Sequence, residues 1–123
     1  MAEPRIFKRD SADEFYIEEQ CFIAEYENEP DGLSLARARV KPGEKTRWHK
    51  LINTTERYII LEGEGLVEVG EIGPTKVVPG DIVVIPPQVN QRITNTGQSD
   101  LLFLCLCTPG FKQSNYLDSE ADN

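Results

Sequence analysis

Two stretches decide the reading: PGEKTRWHKLINTTERYIILEG at residues 42–63 and PGDIVVIPPQVNQRITN at residues 79–95. Each opens on a Pro-Gly turn and runs into a β-rich segment with polar side chains set among apolar ones. Pro removes a ladder donor and Gly permits positive φ, so both punctuate strands rather than sit within them. The same pattern of short apolar runs, cut by Gly, Pro, Asn and Asp, extends outward over most of the chain. Strands are expected at 15–17, 21–25, 33–40, 46–49, 57–61, 66–69, 76–78, 82–85, 90–95 and 101–108. Glu62-Gly63-Glu64-Gly65 reads as a hairpin between two of them. Helical periodicity is nearly absent, which predicts an all-β sandwich or barrel.

With 123 residues the chain has room for one domain with one core. Hydrophobic residues at 39% and charged residues at 28% describe an ordinary globular mixture rather than a disordered chain. The apolar run 101–107 is too short to span a bilayer, and the polar start MAEPRIFKRD does not read as a signal peptide. Three cysteines do not make a disulfide framework, so a cytoplasmic, reducing setting is expected. Cys105 and Cys107, two apart on one strand face with Cys21 distant, read as small buried residues rather than metal ligands. The run 101–107 is apolar on both faces, as in a strand buried between two layers or two subunits.

The net charge of −8 is unevenly placed. Residues 1–32 hold ten acids against three bases, 117–123 hold three acids and no base, and 33–116 hold eight acids against ten bases. No dense basic face is available for nucleic acid, and no basic amphipathic helix for a membrane. A near-neutral middle leaves room for a small anion. No glycine-rich phosphate loop is present, so no nucleotide cofactor is expected.

The two opening stretches resemble the two motifs of the cupin superfamily, as a small single-domain cupin of the type-2 conserved-barrel kind. In the first, Gly43 is followed after five residues by His49, and Glu56 and Gly63 follow at the family's positions. The family's second histidine falls at Leu51. In the second, Gly80 leads after five residues to Pro86, the family's glycine falls at Gln88, its histidine at Gln91, and Asn95 follows. Sixteen residues, 64–79, separate the motifs. The resemblance implies a double-stranded β-helix, or jelly-roll barrel, with a pocket inside it.

In the family, histidines and a glutamate hold a divalent metal. The resemblance therefore implies a metal set of His49, Glu56 and Gln91 for Fe, Mn, Ni or Zn, degenerate because two imidazoles are lost. Gln91 offers only a neutral carbonyl oxygen, a weaker donor than imidazole, and Leu51 offers nothing. Without a metal, His49 and Glu56 form a proton-transfer pair, with Tyr58 as a further acid or hydrogen-bond donor. The blander alternative is that His49 only hydrogen-bonds its neighbours and Tyr58 only packs. Period-two alternation turns Arg47 and Leu51 inward if His49 is inward, Tyr58 with Glu56, and Val89 with Gln91. Arg47, Gln91 and Tyr58 are then candidate ligand-binding residues. On strand 33–40, either Ser34, Ala36 and Ala38 face the pocket and leave room for a ligand, or Arg37 and Arg39 do and favour an anion.

These readings divide the chain into an N-terminal segment with an edge strand (1–26), a cupin barrel (27–110) and a tail, acidic at its end (111–123). An exposed sheet edge needs a cover, so the N-terminal segment is expected in the contact of a homodimer. The tail, with Phe111 and Tyr116, is expected over the pocket mouth or the neighbour. The function expected is binding of a small polar or anionic metabolite, with metal-assisted catalysis. The alternatives are a metal-free binding or sensing module, or a metal-free proton-transfer enzyme using His49 and Glu56. Fold does not choose among them.

Overall fold

A computed structural model describes residues 3–120; residues 1–2 and 121–123, the extreme ends of the N-terminal segment and the acidic tail, lie outside it. The strands are β1 (Phe15–Ile17), β2 (Cys21–Asn28), β3 (Ser34–Val40), β4 (His49–Leu51), β5 (Thr55–Glu62) and β6 (Gly65–Val69). They continue as β7 (Ile72–Val77), β8 (Ile82–Ile85), β9 (Gln91–Asn95), β10 (Leu101–Thr108) and β11 (Tyr116–Asp118). They form two antiparallel sheets, in the orders β1-β2-β3-β10-β5-β8 and β11-β4-β9-β6-β7. This is the expected all-β jelly-roll barrel. Among the described residues, no helix is long and apolar enough to cross a membrane.

The core lies between the sheets. Ala38, Val40, Tyr58, Ile60, Val67, Ile93, Leu101 and Phe103 are buried there, contributed by alternate positions of facing strands. Burying a side chain the size of Phe103 stabilises by about 1.5–3 kcal/mol. Gly63 shows why the first motif needs a glycine: its φ is +85°, and a Cβ there would stand 2.7 Å from the Asp100 carbonyl oxygen. At the second motif the left-handed place falls to Gln88, with φ +65°. Its N–H donates to the Leu51 carbonyl (2.8 Å), and its Oε1 accepts from the Asn53 N–H (3.3 Å). Local hydrogen bonds there replace the conformational ease of glycine.

The two faces of β3 are now distinguished. Ser34 and Ala38 are buried inward, whereas Arg39 forks onto Glu14 (2.8–3.1 Å) and reaches Asp100 (3.2 Å) on the outer side. β10 is central in its sheet, between β3 and β5. Its outward residue Leu104 lines a surface hollow with Leu35, Leu61 and Phe7 of the N-terminal segment.

Several boundaries differ from the sequence reading. β2 runs on to Asn28, beyond the expected 21–25. The strand expected at 46–49 begins only at His49. Residues before it leave the ladder: Thr46 bonds Ile93 through both its N–H and its hydroxyl, and the Arg47 N–H donates to the Glu19 carbonyl. The tail contains β11, which pairs Tyr116 with Leu51 and Asp118 with His49.

Candidate functional site

The register carries the site. His49 on β4 stands opposite Gln91 on β9, and Glu56 on β5 comes across from the other sheet. All three are buried. Gln91 Nε2 donates to Glu56 Oε1 (2.8 Å), and the Tyr58 hydroxyl donates to Gln91 Oε1. The Tyr58 ring rests on Phe103, with centroids 4.5 Å apart. The Cys107 thiol lies 3.6 Å from Glu56 Oε2. His49 Nδ1 lies 2.7 Å from the Arg47 carbonyl, which can only accept, so Nδ1 carries the proton. The lone pair is then on Nε2.

What Nε2 faces was not expected from the sequence. Glu19, in the turn between β1 and β2, places Oε1 3.4 Å from it. The Arg47 N–H donates to the Glu19 carbonyl and the Gln20 N–H to the Ile17 carbonyl, which fix this turn over β4. From the other side, Tyr116 stacks on the imidazole, centroids 5.1 Å apart and planes 17° apart. The tail therefore does fold back over the site. Sequence reasoning missed Glu19 because the meeting depends on a turn crossing from one sheet to the other. The one available signal was an acid in a Glu-Glu-Gln turn between two apolar edge runs.

Burial sets the proton affinities. It pushes the Glu19 carboxyl up to about 7, only slightly opposed by the Cys21 thiol. Glu56 is also pushed up to about 7, first by burial and then by the charge of Glu19, against the pull of His49, Gln91 and Cys107. His49 is lowered from 6.5 by burial, with Glu56 pulling the other way. Two carboxyls thus exchange protons near neutrality, beside an imidazole that burial keeps neutral more readily than usual, a condition for general acid–base work.

A cavity of about 500 Å³ adjoins this set. Its walls come from β1, β2, β3, β10 and the tail, and include Ile17, Glu19, Ala36, Cys105, Cys107 and Tyr116. The small inward residues of β3 leave the space open. Glu19, Tyr116 and Cys107 are the wall residues that touch His49 and Glu56. His49, Glu56, Gln91 and Tyr58 themselves lie behind that wall. Arg47 stands apart: its Nε donates to Asp118 Oδ2 (2.8 Å) at the surface, because the chain there is not in the ladder that would turn it inward.

The donor set does not fit the family's metal. The Gln91 carbonyl oxygen already accepts from Tyr58 and its amide nitrogen donates to Glu56, so Gln91 is committed to this network. Leu51 puts hydrocarbon in a ligand position. Among the described residues, no three His, Cys, Asp or Glu side chains gather as a metal-holding group. No chemical step is therefore derived through a metal.

Comparison with known proteins agrees with this architecture. An uncharacterized protein of Methanocaldococcus jannaschii is 38% identical over 82 residues, 67% of this chain and 65% of that protein. Glucose-6-phosphate isomerase of Thermococcus litoralis is 30% identical over 99 residues, 71% of this chain and 52% of that protein. The chain thus spans only about two thirds and about half the length of these relatives. A solved structure from Klebsiella pneumoniae, an uncharacterized conserved protein with a double-stranded beta-helix domain, superposes with a TM-score of 0.78 at 18% identity. That superposition covers 94% of this chain and 97% of the other. Residues 36–107, more than half of the sequence, match the Cupin domain family. The chain belongs to the cupin family.

Proposed function

We propose that this cupin binds a small polar molecule in its cavity and moves a proton to or from it without a metal. One observation carries the reading: the cavity wall holds Glu19, a carboxyl poised near neutrality, 3.4 Å from the free lone pair of His49. A ligand in the cavity meets Glu19 first. Glu19 Oε1 gives or takes the proton, and His49 Nε2 restores it. Glu56, clamped by Gln91 and Tyr58, serves as the second proton store behind the wall. Gln91 and Tyr58 are positioning residues in this scheme, and Arg47 has no part in it.

The ligand's charge follows from the wall. The anionic ligand expected from the sequence rested on the near-neutral middle of the chain, on Arg47, and on Arg37 and Arg39 if they faced inward; the inward face of β3 is instead Ser34, Ala36 and Ala38. Among the described residues, no lysine or arginine lines the cavity. A phosphorylated sugar, as the name of the Thermococcus relative would suggest, would bring negative charge to a wall of glutamates. That substrate is not carried over.

The test is a thermal-shift screen of uncharged and cationic polar metabolites, followed by NMR of each hit in deuterated buffer. A ligand at about 100 times its dissociation constant raises stability by about 2.7 kcal/mol. The expected result is exchange of a ligand C–H that Glu19→Gln abolishes while binding persists. Hits that bind but never exchange would reduce the protein to a binding or sensing module. A second measurement addresses the metal: one equivalent in untagged protein that His49→Ala removes would overturn the metal-free scheme.

The same proposal includes a cytoplasmic homodimer. Free Cys21, Cys105 and Cys107 support a reducing setting. Phe15 and Tyr16 on the edge strand β1 are 53% and 55% exposed, a surface that a second copy would cover. Light scattering at twice the chain mass is the expected result, and a monodisperse monomer at micromolar concentration would end this part.

A further inference from the structure

The tail closes one side of the cavity through Phe111, Gln113 and Tyr116, yet none of residues 111–120 is fully buried. Its base is tied firmly to the barrel. The Gly110 N–H donates to the Pro30 carbonyl (3.2 Å), the Phe111 N–H to Ser34 Oγ (2.9 Å), and Asn28 Nδ2 to the Phe111 carbonyl (3.1 Å). Glycine is required there, since a Cβ on Gly110 would stand 2.4 Å from the Glu29 carbonyl oxygen. The 3-10 turn Gln113–Asn115 follows and buries no side chain. Beyond it, β11 adds only three residues to the edge of β4, and Leu117 among them is 43% exposed.

The tip is fastened at the surface by charge and hydrogen bonds. Asp118 Oδ2 accepts from Arg47 Nε (2.8 Å). Glu120 Oε1 accepts from the Trp48 N–H (3.0 Å) and stands 3.9 Å from the Arg92 guanidinium. The Ser119 N–H donates to the Trp48 carbonyl (2.9 Å) and the Ile52 N–H to the Asn115 carbonyl (2.8 Å). A segment with few buried apolar contacts and exposed backbone hydrogen bonds opens locally at far less cost than the core. What this opening uncovers is specific. Without β11, β4 becomes the edge strand of its sheet, and His49, now 1% exposed, loses the Tyr116 ring stacked on it.

We propose that residues 112–120 form a lid that lifts from β4 as one unit, hinged on the Gly110–Phe111 base and latched by Asp118 and Glu120, and that its opening admits small molecules to His49. This goes beyond the proton-transfer reading and does not depend on it.

His49 is the chain's only histidine, so its carbethoxylation by diethyl pyrocarbonate reports the open lid at a single position. The rate on the full chain is divided by that of N-acetylhistidine in the same buffer, and the urea midpoint is measured beside it. The parent is expected to react far more slowly than N-acetylhistidine. Asp118→Asn combined with Glu120→Gln removes the latch charges and is expected to raise the rate about fivefold, the upper range for exposed ion pairs, with an unchanged urea midpoint. Sodium chloride at about 1 M, which shortens the screening length to about 3 Å, is expected to speed the parent and add little in the double variant. Glu62→Gln, which frees Arg9 on the other sheet, should leave the rate unchanged. A parent as reactive as N-acetylhistidine would show that nothing covers His49. Equal rates in parent and double variant, or a parent rate indifferent to salt, would overturn the latch. A rate that rises only as the urea midpoint falls would assign the exposure to global unfolding and overturn a separate lid, as would the same acceleration by Glu62→Gln. If the double variant does not fold, the salt series on the parent decides.

Discussion

The polar residues inside the barrel come in two layers that differ in how completely they are satisfied. Behind the cavity wall, Glu56, Gln91 and Tyr58 pass hydrogen bonds in a chain. On the wall, Glu19 faces His49 at 3.4 Å and the Tyr116 hydroxyl has no described partner. Buried polar groups cost stability unless matched, so the first layer belongs to the architecture, and the second is where the proposed ligand would act. The lesson concerns where function is to be sought. The family motifs supply the satisfied layer, while segments outside them, the β1–β2 turn and the tail, supply the unsatisfied one.

The largest expected effect breaks the satisfied layer. Gln91→Leu strands the Tyr58 hydroxyl and a Glu56 oxygen in the core and is expected to lower unfolding stability by about 3 kcal/mol, read by urea denaturation. A variant as stable as the parent would show that this network is not structural. Tyr58→Phe removes only the terminal donor, so it is expected to cost about 1 kcal/mol.

Next comes pH, which acts on both layers through their carboxyls. Folded Glu19 and Glu56 keep their protons up to about 7, against an ordinary 4.5 in the unfolded chain. Between those values the folded state binds the extra protons, so both carboxyls lose stability as pH rises through the window. His49, lowered from 6.5, acts oppositely, because below 6.5 the unfolded chain takes up the proton. Two carboxyls outweigh one imidazole, so the urea midpoint is expected to be higher near pH 5 than near pH 8. Glu56→Gln should flatten that slope, and an unchanged slope would show that Glu56 does not keep its proton in the folded state.

Smaller effects sharpen the unsatisfied layer. Tyr116→Phe deletes only a hydroxyl with no described partner and keeps the ring on His49, so the midpoint should hold or rise slightly. A clear loss of stability would mean that the hydroxyl is matched inside the protein. Smallest of all, Arg47→Ala removes an exposed ion pair with Asp118 and should leave both the midpoint and ligand affinity within error. A loss of affinity would restore Arg47 to the site.

Much of the fold was readable from short-range chemistry. Pro79-Gly80 and Gly63 mark turns because few residues tolerate their backbone, and alternation along 55–62 and 91–95 places Glu56, Tyr58 and Gln91 on inward faces. The same alternation failed at Arg47, because Lys45 and Thr46 bond β9 outside a regular ladder and the two-residue period does not hold there. β11 was read as tail because three residues, YLD, carry too little pattern, and its strand exists only because β4 offers an unpaired edge.

By itself the sequence determined the short strands and the turns between them, and its resemblance to the cupin motifs implied the jelly-roll barrel and the meeting of His49, Glu56 and Gln91. Strands and turns depend on turn chemistry and side-chain period, which each residue carries locally. Only the tertiary structure decided that Gln91 spends its amide on Tyr58 and Glu56, that arginines face outward, and that Glu19 and Tyr116 close on the imidazole. Those outcomes depend on which sheet edges and turns arrive at one place. Nothing in the spacing of Glu19, His49 and Tyr116 along the chain encodes that arrival.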